Sequence, residues 1–173
     1  MNEWWKGIGA TEIIQALPWI SPEAIKYLET IVWKGAEVIE HGSGGSTLWF
    51  ASRCQLVTAY EHDPDWYERL TRQGLPDNAS VVMWTRKNLP KLKPDCCDIL
   101  MIDGEPVEHR AAWIKAAPKM VRNGGWIVLD NANRPEYAKE REWLQDRGFE
   151  FCTIDGNTGI TKTMITDFYL VQK

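Results

Sequence analysis

The sequence lacks the features that identify several classes of protein. Its four cysteines form no CxxC pair and two of them are adjacent, so neither a zinc site nor a disulfide framework is indicated. No uninterrupted apolar run reaches the length of about 18 residues that a membrane helix needs. The N-terminus, MNEWWKGIGATE, has no basic start followed by an apolar run, which argues against a secretory signal. We therefore expect a cytoplasmic protein with reduced thiols and no contact with membranes.

Basic clusters are also absent, and the formal net charge is −4. This disfavours nucleic acid as a partner and makes a small-molecule substrate the expected one. Because no repeat or linker interrupts the 173 residues, we expect one domain, with an N-terminal helical segment at 1–34 and a core at 35–173. Nothing in the sequence indicates an oligomeric state.

Short apolar runs alternate with helical patterns along the core. Thr11 and the apolar pattern after it predict a first helix that Pro18 ends, and Ser21-Pro22-Glu23 predicts the start of a second. The strand-like runs are 36–40, 56–61, 81–84, 99–102, 126–129, 149–154 and 167–171. Only a glycine-containing loop separates the last two, which predicts a hairpin. The pattern predicts the α/β class, with a doubly wound, mostly parallel sheet and a C-terminal antiparallel hairpin.

The end of the first strand carries the clearest functional signal, the segment EHGSGGST. Three glycines, Gly42, Gly44 and Gly45, allow a tight turn that a ligand can approach closely. The second strand ends at Glu61, 19 residues after Gly42, close to the separation of roughly 20 at which an acid binds a ribose in nucleotide-binding folds. The alternative is a purely structural turn between strand and helix. Thr47 stands where a dinucleotide fingerprint has its third glycine, which argues against NAD.

Four segments together resemble the class I S-adenosylmethionine-dependent methyltransferases, in particular their branch of small O-methyltransferases. The segments are VIEHGSGGST, AYEHDPDWYERL, CCDILMIDGEP and VRNGGWIVLDNANRP, and the resemblance runs from about Val38 to the C-terminus. It implies the Rossmann-like methyltransferase fold, with seven strands in the order 3-2-1-4-5-7-6. The core at 35–173 would then bind the cofactor.

The resemblance also implies which residues bind S-adenosylmethionine. Gly42, Gly44 and Gly45 would lie beside its methionine and ribose parts, Glu40 near its amino group, and Glu61 on the ribose hydroxyls. The third strand is followed by no carboxylate for the adenine, so Trp84 or Asn88 is expected to meet it instead. The remaining members of the expected cofactor site are His41, Ser43, His62 and Asp103.

The predicted catalytic residues are Asp103, at the end of the fourth strand, and His109. The open alternative for His109 is a structural place beside the following helix, and for His62 a place at a helix entry. Asp103, Asp130 and Asn131 also resemble the ligands of cation-dependent catechol-type O-methyltransferases, and such oxygen donors suit a hard ion such as magnesium or calcium. Alternatively, Asn131 satisfies backbone groups in its turn.

Methyl transfer from S-adenosylmethionine to a small-molecule acceptor, at oxygen, is therefore the expected function. A non-catalytic cofactor-binding or interaction module on the same fold is the first alternative, and an NAD-dependent oxidoreductase is the second. Trp4, Trp5 and Trp19 precede the first strand, and we expect them either to cover the cofactor and form the acceptor pocket or to pack in the core.

Overall fold

A mixed sheet of seven strands organises the computed structural model, which describes residues 14–84, 90–157 and 163–173. The strand order is β3-β2-β1-β4-β5-β7-β6, and β7 runs antiparallel to both of its neighbours. The strands are β1 (Glu37–His41), β2 (Leu56–Glu61), β3 (Ala79–Met83), β4 (Cys97–Ile102), β5 (Val121–Leu129), β6 (Glu150–Asn157) and β7 (Thr163–Leu170). The predicted fold class, strand order and C-terminal hairpin are confirmed.

Five α-helices accompany the strands in the described residues. They are α1 (Pro22–Ile31), α2 (Gly45–Ala51), α3 (Pro64–Gln73), α4 (Arg110–Met120) and α5 (Ala138–Gln145), with short 3-10 turns before α4 and α5. The start of α1 follows the predicted cap, because the Ser21 hydroxyl accepts a hydrogen bond from the N–H of Ala24 at 3.1 Å. The Asp63 carboxylate caps α3 in the same way.

The predicted helix before Pro18 is wrong where the structure describes the chain. Residues 14–20 form no helix, and residues 11–13 lie outside the described residues. The Gln73 side-chain amide accepts a hydrogen bond from the N–H of Ile14 at 2.7 Å and donates one to its carbonyl at 2.9 Å. This long-range pairing takes the backbone groups that a helix would use, and the short segment before a proline has little intrinsic helical stability to oppose it.

Neighbouring residues along each central strand belong to opposite faces of the sheet. Ile39 and Leu100 face α4, where they pack with the fully buried Trp113. Val38 faces α1 and α2 and packs with Phe50. Both faces of the central strands are thus covered, so polar groups can reach solvent chiefly at the strand ends. Within the described residues, no helix is long and apolar enough to cross a membrane.

Candidate functional site

The ends of β1 and β4 approach each other so closely that their backbones touch. Gly42 follows β1 with a φ of +99°, and a Cβ atom there would lie 2.7 Å from the Cα of Gly104. One residue earlier in each strand end, the Asp103 N–H donates a hydrogen bond to the carbonyl of His41 at 3.1 Å. A side chain at either glycine would separate the two strand ends. The glycine-rich turn and Asp103 are therefore neighbours at the carboxyl edge of the sheet, where α/β proteins bind ligands.

Hydrogen bonds to the Glu61 carboxylate hold the glycine-rich turn against the end of β2. One oxygen accepts from the N–H and the hydroxyl of Ser43, at 3.1 and 2.8 Å. The other accepts from the backbone N–H groups of His62 and Asp63, at 2.8 and 2.9 Å, and lies 3.1 Å from the His62 ring. Glu61 therefore lies against the glycine-rich turn, and rotation of the Ser43 hydroxyl would free one acceptor position on its carboxylate.

Glu40 is the opposite case, a buried carboxyl that is incompletely satisfied. It is only 2% exposed, and its Oε2 atom has no hydrogen-bond partner among the described residues. Burial, with a smaller contribution from Glu61, raises its pKa from 4.5 to about 7, although Ser46 and Thr47 oppose the rise. Leaving a buried acceptor unpaired costs free energy. Such a carboxyl beside a glycine-rich turn suits a cationic hydrogen-bond donor.

Aromatic rings fill the space beneath the site, on the α4 side of the sheet. His41 stacks on Trp113, with 5.0 Å between ring centroids, and meets the edge of Trp84 at 5.6 Å. Trp84 in turn contacts the ring of His109 at 4.9 Å. Trp84 is buried, so only its margin could meet an adenine, and Asn88, the other predicted contact, lies outside the described residues.

His41 itself is almost fully buried, and neither ring nitrogen has a hydrogen-bond partner among the described residues. Burial and the nearby Arg110 hold its pKa well below the usual value. The ring is therefore neutral at physiological pH, and its observed contacts are with aromatic rings. The catalytic role predicted for His109 stays a prediction.

Asp103 and Asp130 follow β4 and β5, and a buried arginine, Arg110, binds the Asp103 carboxylate and the backbone carbonyl of Asp130. The Asp103 side chain is 31% exposed and its Oδ1 is 3.2 Å from Arg110. Asp130 is almost fully buried and accepts hydrogen bonds from Thr166 and Asn131 at 2.8 and 2.7 Å. Withdrawal from water and the Asp130 carboxyl raise the pKa of Asp103 well above its usual value, while Arg110 opposes the rise.

The structure gives no support to the divalent-cation site predicted at Asp103, Asp130 and Asn131. No group of three or more histidine, cysteine, aspartate or glutamate side chains suited to a metal occurs in the described part of the chain. The amide nitrogen of Asn131, a hydrogen-bond donor, faces Asp130. Asn131 also has a φ of +52°, which fits the alternative in which it serves its own turn.

The segment 14–20 lies over the glycine-rich turn. A Cβ atom at Gly45 would lie 2.5 Å from the carbonyl oxygen of Gln15 and 2.2 Å from that of Leu17. The Trp19 ring packs against Trp66 at 5.7 Å, and Trp66 donates to the Ser43 carbonyl at 2.8 Å. Trp19 therefore lies beside the turn, whereas Trp4 and Trp5 lie outside the described residues.

Three residues of the site escaped the sequence analysis: Arg110, Gln73 and Trp66. Gln73 and Trp66 bind partners 59 and 23 residues away, and Arg110 joins the ends of two strands, so no local pattern marks these roles. A weak signal existed only for Arg110, a charged residue immediately before the apolar helical stretch 111–117. Thr47, noted only as a departure from a glycine fingerprint, accepts a hydrogen bond from the Gly44 N–H at 3.0 Å and so stabilises the turn into α2.

Replacing Glu40 by glutamine should make stability less dependent on pH. Because its pKa is raised to about 7, the folded protein binds this proton more tightly than the unfolded chain, and stability falls as pH rises from 4.5 through 7. Glu40→Gln should match the wild type at pH 4 and exceed it at pH 8 by on the order of 2–3 kcal/mol, since one pKa unit corresponds to about 1.4 kcal/mol.

Urea unfolding at the two pH values measures this difference. Glu142→Gln, which neutralises an exposed carboxyl on α5, serves as the control and should change little at either pH. An equal effect of Glu40→Gln at both pH values would show that the carboxyl is not held in a costly buried state.

Removing the Gln73 side chain should release the segment over the turn. Gln73→Ala deletes both hydrogen bonds to Ile14, each worth about 1 kcal/mol, so amide exchange of Ile14 and Leu17 should accelerate by roughly 30-fold. Hydrogen exchange followed by mass spectrometry measures this. Arg72→Ala, an exposed neighbour on α3, should leave these amides protected, and unchanged exchange in Gln73→Ala would mean that other contacts hold the segment.

Comparison with known proteins agrees with this geometry. Residues 39–132, more than half of the chain, match the model of a family described as a methyltransferase domain. Comparison with curated proteins gives no significant match.

Solved structures share the fold at low sequence identity. Precorrin-6y C5,15-methyltransferase from Geobacter metallireducens has a TM-score of 0.69 and 16% identity, over 85% of this chain and 86% of that one. Precorrin 8W decarboxylase from Methanobacterium thermoautotrophicum has a TM-score of 0.62 and 22% identity, over 86% and 89%. Fibrillarin from Aeropyrum pernix, solved with natively bound S-adenosyl-L-methionine, has a TM-score of 0.61 and 17% identity, over 80% and 68%.

These likenesses establish the fold, and the family match covers the glycine-rich turn together with Glu61, Asp103 and Asp130. The seven-stranded sheet and its strand order agree with this match, and together they assign the chain to a family. The chain belongs to the class I S-adenosylmethionine-dependent methyltransferase family.

Proposed function

We propose that this chain binds S-adenosylmethionine at the carboxyl ends of β1 and β2 and transfers its methyl group to an oxygen atom of a small-molecule acceptor. The observation that carries the proposal is the buried carboxyl of Glu40, one oxygen of which has no hydrogen-bond partner among the described residues. This carboxyl lies next to the glycine-rich turn, which a ligand can approach closely. The ammonium group of a bound amino acid would supply the missing hydrogen bond and the opposite charge.

The residues present fit such a cofactor. Glu40 would hold the amino group, the backbone of the glycine-rich turn would lie against the methionine and ribose parts, and Glu61 would accept from the ribose hydroxyls once the Ser43 hydroxyl rotates. When bound, S-adenosylmethionine supplies a methyl group on a sulfonium sulfur, from which a nucleophile can displace it. Orientation of the acceptor and exclusion of water are then the main tasks of the protein.

Asp103 is the proposed proton acceptor. Its side chain is 31% exposed, so an acceptor molecule can reach it, and the contact between Gly42 and Gly104 places it next to the glycine-rich turn. A carboxylate whose pKa is raised accepts a proton more readily than an ordinary aspartate. As the bond between the acceptor oxygen and the methyl carbon forms and the bond from carbon to sulfur breaks, the hydroxyl proton would pass to this carboxylate.

Segment 14–20 would shield the site from water. Leu17 and Trp19 are 47% and 41% exposed, so the segment offers apolar surface on its outer side as well. An acceptor that packs against this surface would be small and partly apolar, consistent with the net negative charge, which gives no general attraction for nucleic acid. A cytoplasmic location fits the four free cysteines.

Calorimetry with S-adenosylhomocysteine tests the cofactor site. We expect saturable binding in the micromolar range, with NAD giving none in a parallel titration. Because an ammonium group binds ionised Glu40, affinity should rise between pH 6 and pH 8, across the raised pKa of about 7. In Glu40→Gln this pH dependence should disappear. Folded protein that binds no S-adenosylhomocysteine at either pH would contradict the proposal and favour an interaction module.

The variant Asp103→Asn distinguishes a role in methyl transfer from a role in cofactor binding. With an acceptor found by screening hydroxyl compounds for release of S-adenosylhomocysteine, kcat should fall by about 10²- to 10⁴-fold, the usual contribution of general base catalysis. The affinity for S-adenosylhomocysteine should change far less. Glu105→Gln, an exposed carboxyl two residues away, is the matched control. Turnover of Asp103→Asn at the wild-type rate would show that Asp103 is not the proton acceptor.

A further inference from the structure

Arg110 makes an unusually complete set of contacts for a charged residue with 1% exposure. Its guanidinium donates to the backbone carbonyls of Gly104 at 3.0 Å, Asp130 at 2.7 Å and Asp103 at 2.5 Å. It also lies 3.2 Å from the Asp103 carboxylate. Buried arginine is stable only when its charge and its donors are matched, and here the ends of β4 and β5 match them.

The carboxyl groups around Arg110 leave little room for another cation. Both oxygens of Asp130 accept hydrogen bonds, one from Thr166 at 2.8 Å and one from Asn131 at 2.7 Å. Magnesium requires near-octahedral oxygen coordination at about 2.1 Å, usually with several waters. A divalent ion between Asp103 and Asp130 would lie against the fixed positive charge of Arg110, and it would share the Asp130 oxygens with the hydrogen bonds from Thr166 and Asn131.

We propose that the guanidinium of Arg110 takes the place of a divalent cation at this site. It supplies the positive charge beside the Asp103 and Asp130 carboxyls and fixes the two strand ends through their carbonyls. Arg110 is a positioning residue, since it acts on the acceptor only through Asp103. The inference rests on the proposed acceptor site and narrows its substrate class. With Arg110 and Asp103 in this role, the site needs only one reactive hydroxyl on the acceptor and no neighbouring oxygen pair for chelation.

Binding of Mn²⁺, a stand-in for Mg²⁺ that electron paramagnetic resonance detects, tests the inference on the wild-type protein without any turnover. We expect no specifically bound ion at millimolar Mn²⁺, with or without S-adenosylhomocysteine, and the same result for Asp103→Asn. Stoichiometric binding that Asp103→Asn abolishes would overturn the inference. Calorimetry on the same samples reports cofactor binding separately, so failure of the inference and failure of the proposed function can be distinguished.

Rescue of an Arg110 variant tests the other part of the inference, that the guanidinium supplies the positive charge at this site. Arg110→Ala should lower the thermal unfolding midpoint, and millimolar methylguanidinium should restore part of the loss whereas Mg²⁺ should not. Arg122→Ala, which removes a half-exposed arginine paired with Glu37 and Asp98, should show no such rescue because its site is open to solvent. Restoration of Arg110→Ala by Mg²⁺ but not by methylguanidinium would contradict the inference. If Arg110→Ala does not fold, the Mn²⁺ measurement on the wild type decides.

Discussion

The backbone contact between Gly42 and Gly104 is the constraint on which the site depends. Side chains at these positions would hold the ends of β1 and β4 apart, since a Cβ at Gly42 would come within 2.7 Å of Gly104. With both absent, the glycine-rich turn after β1 and the carboxyl of Asp103 after β4 share one small region of the sheet edge. Arg110 then secures the same region from the α4 side by binding the carbonyls of Asp103 and Gly104.

The two buried glutamates at this edge differ in how many hydrogen bonds the protein itself gives them. Four protein donor groups, counting the backbone N–H groups of residues 43, 62 and 63 and the Ser43 hydroxyl, already satisfy Glu61, which orders the turn. Glu40 keeps an oxygen without a partner among the described residues, and burial raises its pKa to about 7. In the proposed complex, the ammonium group of the cofactor would offset the free-energy cost of burying Glu40. An unsatisfied group of this kind is expected at functional sites rather than in ordinary cores.

Much of the architecture could be predicted because it follows local patterns. The apolar runs of β1, β2, β4 and β5 and the cap at Ser21 depend on nearby residues, and the resemblance to a family supplied the strand order. The hairpin was predicted too, although β6 and β7 extend further than their apolar residues, to 157 and from 163. The hydrophobic pattern and the residues at turns thus determine which helices and strands form. The exact ends of the strands depend on pairing between strands.

What the sequence did not show depends on contacts between separate elements of the fold. Gln73, 59 residues from Ile14, draws Ile14 out of the predicted helix. Arg110 joins the ends of β4 and β5 because of how α4 packs on the sheet, which no local pattern shows. Trp84 lies after β3 with its ring against His41 and Trp113, and its predicted contact with an adenine stays a prediction.

A crystal structure of the chain grown with S-adenosylhomocysteine tests the central claim most directly. The account predicts the ligand at the carboxyl ends of β1 and β2, with its amino nitrogen within hydrogen-bond distance of the Glu40 carboxyl and its ribose hydroxyls on Glu61. A ligand bound elsewhere, or one in this position that leaves Glu40 without a contact, would contradict it.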